Sequence, residues 1–120
     1  MQKLQLLALS ALLLALATVQ AEVPSGISNN IKWATASELN NFGFDVFRGD
    51  TETGEFEKIN QRTIAGAGNS DTPSRYEFAD TTIEAGKAYW YYVESISMSG
   101  QREKFTPTFQ SKPKFPEPAE

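Results

Sequence analysis

The chain has 120 residues, with fifteen Asp and Glu against eleven Lys and Arg, no Cys and no His, for a formal net charge of −4. An acidic surface repels phosphate backbones and no basic stripe offsets it, which argues against a nucleic-acid partner. Without Cys the fold must stand on its hydrophobic core, and without His it lacks the usual neutral-pH base, the commonest metal ligand and every Ser-His or Cys-His pair.

Met1-Gln2-Lys3 supplies a short positive start, and Leu4 to Val19 is dominated by Leu and Ala with no charge. Val19-Gln20-Ala21 then places modest residues where a signal peptidase reads. Residues 1–21 are therefore expected to be a cleaved secretory signal, not a retained anchor. The expected mature chain is one domain's worth, secreted or periplasmic, with no stable membrane anchor after cleavage. A short segment, 22–30, precedes the first patterned stretch.

From Ile31 to Phe109 the apolar residues recur with a period of two. Ile31 to Thr35 predicts a strand with Ile31 and Trp33 inward, and Ser37 to Gly43 a turn cluster. Phe44 to Arg48 predicts a second strand with Phe44 and Val46 inward. Asp50 to Gly54 is a polar hairpin loop, and Phe56 to Ile64 a third, weaker strand. Ala65 to Ser74, rich in Gly, Asn, Ser and Pro, reads as the most mobile internal loop. Tyr76 to Phe78 begins another strand, and Ala88 to Met98 is the longest and most aromatic. A turn at Ser99-Gly100-Gln101 leads into the last, about Arg102 to Gln110. Residues 111–120 carry three prolines and predict a disordered tail. Short strands, even turns and no amphipathic helix indicate an all-β sandwich of six to seven antiparallel strands.

Ile83-Glu84-Ala85-Gly86-Lys87-Ala88-Tyr89 resembles the approach to strand F of a fibronectin type III domain, in which such spacing builds a tyrosine corner. Trp33 to Glu38, then Asn40-Asn41, Gly43-Phe44, Val46 and Arg48, is similar to the strand B to strand C region of such modules in bacterial exported proteins. The resemblance covers residues 31–110. It implies an immunoglobulin-like sandwich, with Trp33 as the core tryptophan of strand B, Tyr89 as the corner tyrosine and Ile83 as its packing partner. The sequence departs from that pattern at the front, where residues 22–30 are short, so strand A is expected to be brief, irregular or missing, leaving an edge that invites weak self-association.

Among candidate sites, the carboxylate pairs Asp80 with Glu84 and Glu55 with Glu57 suit acid-base chemistry only within a cleft that so small a sandwich rarely provides. No catalytic residue is assigned. Asp50 to Glu55 alternates oxygens loosely as a Ca²⁺ loop does, but lacks the distal bidentate Glu. It reads better as a polar turn with Gly54 at positive φ, so no metal and no cofactor is assigned. Arg48-Gly49-Asp50 is an adhesion-like tripeptide at a strand end. In the fibronectin-type adhesion module such a tripeptide rides on the long loop between strands F and G, which here is the short turn at Ser99 to Gln101. Strand parity gives the best binding candidate. If Tyr89, Tyr91 and Val93 point inward, Trp90, Tyr92 and Glu94 point outward, as do Asp45 and Phe47. Phe47, Trp90 and Tyr92 then make an exposed aromatic patch of the kind that marks protein or sugar contact. The expected role is a non-catalytic interaction or structural module outside the cytoplasm, with a small carbohydrate-binding protein as the alternative.

Overall fold

The computed structural model describes residues 26–118. The expected signal segment and its cleavage site lie outside the described residues. Among those described, eight strands and no helix occur: β1 (Asn29–Thr35), β2 (Glu38–Gly49), β3 (Phe56–Lys58), β4 (Ile64–Ser70), β5 (Ser74–Asp80), β6 (Trp90–Ser97), β7 (Arg102–Lys104) and β8 (Phe109–Gln110).

The pleat turns the alternating sequence into faces. In β1, Asn29, Ile31, Trp33 and Thr35 are buried while the residues between them are exposed. β1 pairs antiparallel with β5 to make a two-stranded sheet, Ile31 opposite Phe78 and Trp33 opposite Tyr76. The larger sheet runs β3-β2-β6-β7, with β4 also on β2 and β8 also on β6. The two sheets share one core. Ile31 and Trp33 face Phe44 and Val46 of β2, Tyr91 and Val93 of β6, and Ile83 and Tyr89 from the β5–β6 connection. Trp33 meets Phe44 edge-on at 5.5 Å and stacks on Tyr76 at 5.7 Å. These contacts reward pleated, aromatic-rich strands beyond the area they bury.

The β5–β6 connection is held by a local device. The Tyr89 hydroxyl accepts a hydrogen bond from the Glu84 backbone N–H at 2.9 Å, while its ring lies buried beside Ile83. Gly86 turns this corner at φ +76°, a conformation L side chains rarely adopt.

Several sequence expectations change: eight strands form among the described residues where six to seven were expected, the longest is the twelve-residue β2 and not the eight-residue β6, and the Phe56 to Ile64 strand is divided between β3 and the start of β4. The Ser37 to Gly43 turn cluster belongs instead to the twelve-residue β2, with its irregularity concentrated at Asn40, φ +52°, and a register shift between Asn41 and Gly43. The Ala65 to Ser74 loop is mostly β4, paired with the first half of β2. Its Gly, Ala and Asn residues have poor strand propensity, and the ladder offered by β2 overrides it. The single last strand becomes two. The Phe105 and Thr106 amides both donate to Val93 O, and Pro107, lacking an N–H, cannot continue the ladder.

Gly54 is also needed for a different reason than expected. Positive φ occurs at Gly26, Gly68, Gly86 and Gly100 among the described glycines, whereas Gly54 donates its N–H to Thr51 Oγ1 at 2.9 Å. A Cβ there would collide with that hydroxyl oxygen.

Hydrogen bonds tie the Pro-rich end to the sandwich, among them one from Tyr89 N–H to Ser111 Oγ at 3.0 Å. Ser111 N–H bonds Tyr89 O, Lys114 O accepts from Gly86 N–H, and Lys114 Nζ reaches Asn29 Oδ1 at 3.0 Å.

Candidate functional site

β6 alternates as its sequence predicts. Tyr91 and Val93 are buried in the core, and Trp90, Tyr92 and Glu94 lie half-buried on the solvent side of the larger sheet. Phe47 of β2 stands in register with Tyr92, and their rings stack at 5.0 Å with only 9° between planes. Phe56, brought up by β3, packs against Tyr92 at 5.1 Å. The Lys104 ammonium sits 5.0 Å from the Tyr92 ring centroid. Trp90 stands opposite Gly49 on one side and Gln110 on the other. The three predicted residues thus share one face, joined by Phe56. Sequence reading missed Phe56 because its place depends on the β2–β3 register, which pairs it with Gly49.

The faces of these rings are not equally open. Phe47 and Tyr92 cover each other, and Lys104 and Phe56 crowd Tyr92 further. Burial, with the nearby Glu94 charge, pushes the Tyr92 hydroxyl above its usual range. Trp90 is half-buried, as Phe47, Phe56 and Tyr92 are.

Further along the same sheet an ionic cluster replaces the rings. Asp45 shares the outward parity of Phe47 yet is fully buried, at 0% exposure. Asn60 Nδ2 at 2.8 Å, Thr63 Oγ1 at 3.1 Å and Arg102 at 2.9 Å all donate to its carboxylate. Arg102 also bonds Glu94 at 2.7 Å. Burial alone would raise the Asp45 pKa, but the donors from Asn60, Arg102 and Thr63 outweigh it and hold the group below its ordinary range. Asn60 also fills a gap in the ladder, its Oδ1 accepting the Val46 N–H at 2.8 Å.

Arg48 of the adhesion-like tripeptide turns inward. Its guanidinium pairs with Asp80, itself only 2% exposed, and lies 4.7 Å from the Tyr89 ring centroid. The carboxylate accepts from Tyr91 OH at 2.7 Å and from Thr82, and Tyr91 OH in turn accepts from Asn29. Asp50 binds Lys87 at 3.0 Å on the surface. Arg48 and Asp50 therefore face different environments. An open cleft of about 410 Å³ lies beside them, walled by Glu55, Glu57, Glu84 and Lys87.

Of the carboxylate pairs, Glu55 and Glu57 share the wall of that open cleft, whereas Asp80 and Glu84 are apart. Asp80 is committed to the interior network, while Glu84 stands in solvent 3.5 Å from Lys87. Among the described residues no group of three or more Asp and Glu is arranged to hold a metal ion.

Comparison with known proteins brings no relative into view. No family model, no curated protein and no solved structure matches this chain. The function rests on its own residues.

Proposed function

We propose that the chain is an exported, non-catalytic contact module with a fibronectin type III-like sandwich, binding a protein partner through the face that carries Phe47, Trp90 and Tyr92. The fold reading is supported by the Tyr89–Glu84 corner bond, the buried Trp33 and the order β3-β2-β6-β7 opposite β1-β5. The function reading rests on one observation: four aromatic side chains, counting Phe56, lie on the solvent side of the larger sheet and outside the core cluster. The Phe47–Tyr92 and Phe56–Tyr92 contacts stabilise the sheet across strands, and half-buried aromatics on a sheet face are also efficient anchors for a partner.

The stacked arrangement favours protein over sugar. A sugar platform needs a ring face open to the solvent, and Phe47 and Tyr92 each turn one face to the other, with Lys104 and Phe56 also against Tyr92. The carbohydrate reading therefore leans on Trp90. Pull-down from the envelope and medium of the source cells, using wild type and a Trp90→Ala/Tyr92→Ala double variant, separates the two. A protein captured by the wild type and lost with the folded variant supports the proposal. Glycan-array binding abolished by Trp90→Ala transfers the site to sugar, and equal capture by both forms removes the face from the account.

A further inference from the structure

The smaller sheet has two strands among the described residues, β1 and β5, against six in the larger one. Among the described residues β1 pairs with β5 on one side and with nothing on the other. β5 lies over β2, as Tyr76 against Phe44 at 4.7 Å and Asp80 against Arg48 demonstrate. Asn29 of β1 reaches Tyr91 of β6 and Lys114 beyond β8. The unpaired edge of β1 consequently faces the β7–β8 side of the sandwich. There Phe105 packs on Phe44 at 5.4 Å yet stays 42% exposed, and Phe109 is only partly buried against the core. The unpaired β1 edge thus presents its backbone N–H and C=O groups on the side of the sandwich where Phe105 and Phe109 lie.

Charge selects the occupant. Lys32 lies at the middle of β1 on the exposed face, opposite Glu77 but without an ion pair among the described residues, and Lys112 is exposed nearby in the chain that passes Asn29. An antiparallel pairing of two β1 strands that used all seven residues would set Lys32 directly against its own copy. That arrangement is unfavourable, and lysine on an edge is a known guard against it. A strand with acidic residues opposite Lys32 meets no such barrier.

We propose that the free edge of β1 accepts an extended strand from a partner protein, with small apolar residues turned toward Trp33 and Phe105 and acidic residues turned outward beside Lys32. The incoming strand completes a three-stranded sheet, supplying main-chain bonds to β1 and cover for Phe105. This edge belongs to the smaller sheet, so its occupancy does not depend on the aromatic face.

The test uses ¹⁵N-labelled protein purified from cells expressing the full 120-residue sequence. The probes are two capped peptides, Thr-Val-Glu-Val-Glu-Val-Thr and the same sequence with Lys in place of both Glu. The acidic peptide is expected to shift amides of β1 and of the Phe105 to Phe109 segment, and to bind roughly fivefold more tightly than the basic one. Lys32→Glu is expected to reverse that order, and binding of the basic peptide then shows that the variant is folded. Lys32→Gln is expected to bind both peptides about equally; a retained preference for the acidic one overturns the proposal. It also fails if β1 amides do not move, or if wild type binds both peptides equally. Edge amides already protected from exchange in a free monomer would assign the edge to the chain's own residues. Protection appearing only with a concentration-dependent dimer would assign it to a second copy. Either result overturns the proposal.

Discussion

Arg48 sets its guanidinium 2.9 Å from the Asp80 carboxylate and thereby joins β2 of the larger sheet to β5 of the smaller one through the interior. Asp80 is buried, and each of its remaining partners, Tyr91 and Thr82, also comes from this chain. An arginine that reads as part of a surface recognition motif is in effect a bolt between sheets.

Replacing Arg48 with Met is expected to destabilise the domain by about 3 kcal/mol, because it leaves a buried carboxylate without its cation. The double variant Arg48→Met/Asp80→Asn should recover part of that loss. Urea denaturation of the three proteins measures both effects. If the single and double variants prove equally stable, the ion pair has no coupling role.

Glu38 makes acid stability testable. Its carboxylate accepts from Thr35 Oγ1, Asn41 Nδ2, Tyr76 OH and the Ala67 N–H. Burial pushes its pKa up, but these donors prevail and bring it down from 4.5 to about 2. A folded-state pKa below the unfolded one contributes stability that is complete above the unfolded value. That contribution fades as pH falls from about 4.5 through about 2. Glu38→Gln should therefore cost about 2 kcal/mol at neutral pH and progressively less as pH falls through that window. Thermal melts of both proteins across this range would show the curves converging; parallel curves would refute the assignment.

The corner bond predicts a smaller and pH-independent effect. Tyr89→Phe keeps the ring against Ile83 but removes the acceptor for Glu84 N–H. We expect a loss of about 1 kcal/mol, seen as a fall in Tm of roughly 5 °C for a domain of this size. A Tm unchanged from wild type would mean that solvent serves Glu84 equally well.

The two tryptophans should respond differently to a quencher. Trp33 is 7% exposed within the core, while Trp90 is half-buried on the outer face. Acrylamide should quench one fraction of the emission readily and spare the other, and Trp90→Phe should remove the accessible fraction. Should the accessible fraction survive in that variant, Trp90 is not at the surface and the aromatic-face proposal loses its best anchor.

Much of this architecture was legible because the side-chain period of a strand is a local property. Ile31 and Trp33, Phe44 and Val46, and Tyr91 and Val93 alternate in the sequence and point into one core in the fold. The same parity brought Phe47, Trp90 and Tyr92 to one face, since a shared register needs only two correctly phased strands. The bond from Glu84 N–H to the Tyr89 hydroxyl spans only five residues, so a short stretch of sequence is enough to build it.

What local pattern could not contain was the pairing of distant polar groups. Parity sent Asp45 outward correctly, yet Asn60 and Thr63 of the β3–β4 connection and Arg102 of β7 close over it. The Gly-rich stretch after Ile64 has no intrinsic reason to be extended until β2 offers it a ladder. By itself, then, the sequence determined which residues face the core, since the pleat imposes a period of two on any strand. Only the tertiary structure decided which charges are buried, because a carboxylate leaves water only where remote donors already stand in place to receive it.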